Sequence, residues 1–335
     1  MSRHAVITGG SAGVGRATAN RFAADGWRVT LLARDQSRLA AAVGDIEGNG
    51  GRASAVPTDV SDPEAVEAAA RQAEQSQGEI DVWVNSAMVT VFAPVAEITA
   101  EEFRRVTDVT YLGQVHGTMS ALRRMRPRNR GTIINVSSAL AYHGLPLQAA
   151  YCGAKFAARG FTESLRGELM HDRCAVRLSL IVLPAVNTPQ FDWARNKMPC
   201  RPRPVPPVFQ PETVASAIVG AAETAPRELV IGTSSLKLLA GSVAAPGVVD
   251  RILAKLAYGG QQDREPAEDR ADNLFEPVPG NFGAHGRFGE EARRVAPDIS
   301  LAAVRGLAAF IGAALFAGAI ALGGRLPRSS PRRDS

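Results

Sequence analysis

The chain has 335 residues, 45% hydrophobic, 21% charged and 6% aromatic, with a formal net charge of +5. These proportions exclude an intrinsically disordered, collagen-like or coiled-coil chain and leave room for one large α/β domain plus an extension. Cys152, Cys174 and Cys200 have neither CxxC nor Cys/His spacing, so no disulfide framework and no metal site are expected. Met1–Ile7 holds no apolar leader, which makes the cytosol the default compartment.

Short β-branched runs alternate with longer amphipathic stretches over residues 1–235, the pattern of a parallel sheet flanked by helices. The expected strands are 5–8, 28–33, 53–58, 82–85, 132–136, 176–183 and 229–231, with helices at 15–25, 63–77, 100–125 and 149–171 among them. That predicts an α/β fold: a Rossmann-type, doubly wound, parallel seven-stranded sheet.

The first strand runs into Thr8-Gly9-Gly10-Ser11-Ala12-Gly13-Val14-Gly15. Glycines at a strand-to-helix turn let backbone N–H groups approach a pyrophosphate, so Gly9, Ser11, Gly13, Val14 and Gly15 are candidate cofactor-binding residues. An ordinary strand-to-helix loop is the alternative. The second strand ends at Arg34, where an acid would hold a ribose 2′-hydroxyl and an arginine a 2′-phosphate. Arg34, with Arg38 as helper and Asp35 next to it, points to NADP(H) over NAD(H). The run Arg123–Arg130 reads as a solvated helix end, with no nucleic-acid partner expected.

Ser138 ends the fifth strand, and Tyr151 and Lys155 follow four residues apart on one helix face. A free phenol titrates near 10 and is a poor base at neutral pH, so a cationic neighbour suits a tyrosine that moves protons. These motifs together resemble the classical short-chain dehydrogenase/reductase family over residues 3–231. The resemblance implies that Ser138, Tyr151 and Lys155 are catalytic, with Tyr151 and Lys155 also contacting the cofactor. It further assigns Asp59 and Val60 to the adenine side, Asn85 and Ala87 to the strand-four motif, and Pro184 and Thr188 to the nicotinamide side. Ser86, Met88 and Ala185 depart from the family pattern, and Thr110 stands where the family has a catalytic asparagine that holds a water beside the lysine.

Beyond the core, Pro199–Pro211 is expected as an extended loop at the place of the substrate lid, 236–258 as an amphipathic extension, and 259–298 as a flexible linker. Residues 299–324 carry the apolar run GLAAFIGAALFAGAIALGG, about the length of a bilayer-spanning helix, with the basic tail 325–335 behind it. A C-terminal hydrophobic helix anchoring a cytoplasmic catalytic domain to the lipid bilayer is expected; the alternative is a buried oligomerisation helix. The resemblance implies a homodimer or homotetramer. The resulting expectation is an NADP(H)-dependent oxidoreductase, NAD(H) being the second cofactor option, that interconverts a lipophilic alcohol and its ketone or aldehyde. The alternative is a membrane-tethered NADP(H)-binding scaffold or sensor with little turnover.

Overall fold

The computed structural model describes residues 3–304. Its central sheet is built from β1 (His4–Thr8), β2 (Arg28–Ala33), β3 (Arg52–Pro57), β4 (Val82–Asn85), β5 (Thr132–Ser138), β6 (Arg177–Leu183), β7 (Glu228–Ile231) and β8 (Asp298–Ser300). The spatial order is β8-β7-β6-β5-β4-β1-β2-β3, parallel throughout except for β8, which runs antiparallel to β7. The seven parallel strands are thus the expected ones, and the eighth comes from residues read as the linker's end and the start of the apolar helix.

Helices α1 (Gly13–Ala24), α2 (Gln36–Gly48) and α7 (Pro211–Thr224) cover one face, and α3 (Pro63–Gln77), α4 (Ala100–Thr107), α5 (Gly113–Met125) and α6 (Ala149–His171) cover the other. Adjacent strand residues point to opposite faces, so β1 sends Ile7 to the α1 side and Val6 to the α3 side, and β5 does the same with Ile134 and Ile133. Because both faces are buried, these strands read as continuous apolar runs. Side-chain caps start α3 and α4: Asp62 accepts from the Glu64 and Ala65 amides with Pro63 in the first turn, and Thr99 and Glu102 form a capping box. The stretch 100–125 is one continuous helical path whose middle, Asp108–Leu112, widens into a single π turn.

The chain crosses from one side of the sheet to the other between β1 and β4, so the loops after these two strands diverge and leave a crevice at their carboxyl ends. After β7, α8 (Thr233–Ala244) and α9 (Pro246–Ile252) pack beside that crevice, burying Leu239 while leaving Val243 and Ile252 exposed.

The 259–298 segment, expected as a flexible linker, is instead laid along the domain. Gln262–Pro266 pairs with Cys200–Pro202, and Leu274, Ala284 and Phe288 are buried. Aliphatic residues are sparse here, yet those present are anchors, so average composition underrated the segment. From Arg305 onward, the expected spanning helix and basic tail lie outside the described residues. Within the described residues, Asp298–Ser300 is a strand and no helix is long and apolar enough to cross a membrane.

His4 opens β1 fully buried, its Nδ1 paired with the Gly78 carbonyl at 2.9 Å and its Nε2 with the Thr30 hydroxyl at 2.9 Å. Burial is the main cause pushing its pKa down to about 4 from 6.5. The unfolded chain therefore takes up this proton at a higher pH than the folded one. Stability is lost as pH falls from 6.5 toward about 4, by on the order of 3 kcal/mol when the titration is complete. Denaturant unfolding at neutral pH and near pH 4 should show that loss in the native chain and a smaller one in His4→Gln. Equal pH slopes in the two proteins would rule the assignment out.

Candidate active site

One cavity of about 450 Å3 lies along the crevice. Gly9, Ser11, Gly13, Val14, Gly15, Arg34, Asp59, Val60, Ala87, Ser138, Tyr151, Lys155, Pro184 and Thr188 all line it. Two expected residues do not, Asn85 and Thr110.

The glycine turn forms the floor. Gly9 has φ +70°, and a Cβ there would lie 2.9 Å from the Ala87 backbone, so any side chain would wedge β1 and β4 apart. Thr8 holds the same junction by accepting from the Ser86 and Ala87 amides at 3.0 and 3.3 Å. At one end of the cavity is the half-buried Arg34. Its guanidinium donates to the backbone carbonyls of Asn273 and Phe275, and no carboxylate pairs with it among the described residues. The neighbouring cations are matched: Arg105 with Asp59 at 2.6 Å, Arg38 with Asp35 at 3.6 Å, and Arg16 with Asp45. Asp59 and Glu276 act on Arg34 from a distance, but neither makes an ion pair with it, so the half-buried guanidinium keeps donors free to receive an anion.

At the other end, Tyr151 and Lys155 project from the first turns of α6 and Ser138 from the end of β5. Ser138 lies beside the Tyr151 phenol, and its hydroxyl accepts from the Leu140 amide at 3.1 Å. Lys155 Nζ donates to the Val136 carbonyl at 2.8 Å and sits 5.7 Å from the centre of the Tyr151 ring. Burial pushes the phenol above its ordinary value, with Ser138 opposing it, and burial alone lowers the lysine to about 8, so burial is the largest influence on both groups.

Thr110 lies in the π turn, where its hydroxyl donates to the Val89 carbonyl at 2.9 Å and accepts from the Val89 amide at 3.1 Å. That pairing pins the loop after β4 and uses the hydroxyl's proton and one of its two lone pairs, leaving only the second lone pair to accept from a water. Asn85 is also structural. Its amide donates to Thr118 at 3.0 Å and to Asn135 at 2.9 Å and accepts from the Trp83 indole at 2.8 Å, beneath the cavity floor. The resemblance to the strand-four motif implies a cofactor contact for Asn85, whereas its side chain is bonded to Trp83, Asn135 and Thr118 of α5.

The profile described as short chain dehydrogenase matches residues 3–198. The chain belongs to the short-chain dehydrogenase family. This short-chain dehydrogenase is 33% identical over 274 residues, 81% of this chain and 76% of the relative, to the uncharacterized oxidoreductase YxnA of Bacillus subtilis (strain 168). It is 29% identical over 76% of its length to the fatty acyl-CoA reductase of Acinetobacter baylyi, covering 83% of that protein. Its structure is similar to that of an alcohol dehydrogenase from the archaeon Thermococcus sibiricus complexed with 5-hydroxy-NADP, with a TM-score of 0.59 and 26% identity over 69% of this chain and 96% of that one.

Several residues of the dehydrogenase's site escaped the sequence reading. Ser234, Leu238, Leu253, Asn273 and Pro277 line the cavity, beside Arg203 to Pro207 of the loop expected as the lid. Asn187, fully buried, ties this region together by accepting from the Phe288 amide at 3.0 Å. A lone Asn-Leu-Phe in a polar stretch carries no periodic signal that would have marked it. The basic run is accounted for by pairing, since Arg123, Arg124, Arg126, Arg128 and Arg130 each meet a carboxylate.

Asn135 receives the Asn85 amide and donates to Thr162 at 3.0 Å, joining β4 and β5 to α6. Asn135→Ala leaves buried donors and acceptors unpaired and is expected to lower unfolding stability by about 2–4 kcal/mol, measurable by chemical denaturation. A loss below about 0.5 kcal/mol would show that the network is not needed.

Proposed function

We propose that this short-chain dehydrogenase reduces a lipophilic ketone or aldehyde to its alcohol with NADP(H). The observation that carries the reading is one continuous cavity lined by Ser138, Tyr151 and Lys155 and by Arg34, whose guanidinium makes no ion pair among the described residues. NADP(H) fits these residues: the glycine turn leaves room for a pyrophosphate, and Arg34 offers a cation for a 2′-phosphate. The NADP-type ligand of the archaeal alcohol dehydrogenase supports the same choice.

When bound, the cofactor supplies the hydride that reaches the carbonyl carbon. The rest belongs to the protein. Ser138 donates a hydrogen bond to the carbonyl oxygen and aligns it with Tyr151. Tyr151 gives its phenolic proton to that oxygen as negative charge develops there. The Lys155 ammonium, close to the ring, stabilises the phenolate left behind. Apolar side chains of Leu140, Leu145, Val186, Phe191, Val205, Leu238 and Leu253 surround the space beside Tyr151, which favours an alkyl or aryl carbonyl compound over a sugar. The fatty acyl-CoA reductase among the relatives is in keeping with such a substrate. Met119, Phe156 and Met170 are exposed on α5 and α6, the helices through which a homodimer or homotetramer would pair.

NADPH consumption against a panel of aliphatic and aromatic ketones and aldehydes tests the reading, and no turnover with any carbonyl despite tight NADPH binding would overturn it. Tyr151→Phe should lower kcat by roughly 10²–10⁴-fold with NADPH affinity little changed, since the ring stays and only the acid is lost. Arg34→Ala should weaken NADPH binding by roughly 10–100-fold and leave NADH binding nearly unaltered, read by fluorescence titration. As pH rises through about 8, Lys155 loses its proton and kcat/KM for reduction should fall. Lys155→Arg should remove that break, at a lower overall rate.

A further inference from the structure

The segment Asp272–Phe288 lies beyond the part of the chain matched to the family, yet it runs across the outer end of the cavity. It is pinned at two points along its length. At the first, Asp272 pairs with Arg195 at 2.8 Å, the Asn273 amide donates to the Trp193 carbonyl at 2.9 Å, and Leu274 is fully buried in the core beside α3 to α6. At the second, Phe282 packs edge-on against the Trp193 ring with ring centres 4.7 Å apart, and the Gly283 carbonyl accepts from the Gly13 amide at 3.1 Å, on the glycine turn itself. Between these anchors the segment turns its backbone carbonyls toward the arginines. Asn273 and Phe275 accept from Arg34, and Val278 and Gly280 accept from Arg38.

We propose that Asp272–Phe288 is a strap forming part of the dinucleotide site: it aims Arg34 at the cofactor's 2′-phosphate and closes over the adenosine half, so that NADP(H) leaves only when the strap lifts. This rests on the NADP(H) reading above. Two features favour a roof over a plug. Asn273 and Pro277 line the same void as Arg34, Thr58 and Asp59, so space remains beneath the strap. Of the five N–H groups of Arg34, the two strap carbonyls engage only part, leaving donors for a phosphate. The groups that touch the guanidinium are neutral carbonyls, and the strap's Glu276, though within electrostatic reach of Arg34, makes no ion pair with it.

The test uses the full chain carrying Leu274→Ala and Phe282→Ala together, because neither side chain lines the cavity and both hold the strap down. Stopped-flow displacement of NADPH should show release accelerated by roughly tenfold or more, with the preference for NADPH over NADH reduced by a similar factor. Hydrogen exchange on the native chain gives an arm that does not depend on the variant folding. Amides of 272–288 should gain protection on adding NADPH, and markedly less on adding NADH. No change in those amides with NADPH would overturn the strap, as would a folded double variant whose release rate and preference stay within about twofold of native. Arg34→Ala separates the two levels. If it leaves the NADPH preference unmoved, the NADP(H) reading fails and the strap falls with it; if it abolishes the preference while the double variant behaves as native, the strap alone is wrong.

Discussion

The active site stands on a pair of buried side-chain amides. Asn85 at the end of β4 and Asn135 within β5 are bonded to each other, and through Thr118 and Thr162 they reach α5 and α6. In an apolar interior such groups are tolerated only in the register that satisfies all of them, so the network fixes how the two strands and two helices meet. That fixes where α6 starts relative to the end of β5. The distances among Ser138, Tyr151 and Lys155 follow from it, although none of the three belongs to the network.

Charge is organised on a different principle at the outer end of the cavity. Four arginines gather there, and three are neutralised by Asp35, Asp45 and Asp59. Arg34 alone among these four has no carboxylate in contact, being held by carbonyl dipoles supplied from more than 230 residues later in the chain. The arrangement concentrates a positive potential at one point and keeps the rest of the arginine cluster from acting as a general anion trap.

The sequence made the strands and most of the site legible because both follow short-range rules. Strands buried on both faces write themselves as β-branched runs; the glycine turn is dictated by backbone contact; and Tyr151 and Lys155 share a face through helical spacing. What could not be read depended on direction. Asn85 and Thr110 stand at positions suited to ligand contact, yet their side chains turn into the protein to satisfy Trp83 and Val89. The segment after Gly259 hid for another reason. Its few apolar residues, Leu274, Phe282 and Phe288, are spaced too irregularly for any period, and its polar atoms bond as backbone carbonyls, which carry no residue identity.

β8 has a bearing on the whole assembly that its three residues do not suggest. By pairing with β7 through Leu229, Val230 and Ile231, it occupies the open margin of a sheet whose other strands were already in place. An uncovered parallel margin is a template for joining a second chain edge to edge. The late segment therefore covers that margin, and a chain shortened ahead of Asp298 would leave β7 as an open edge.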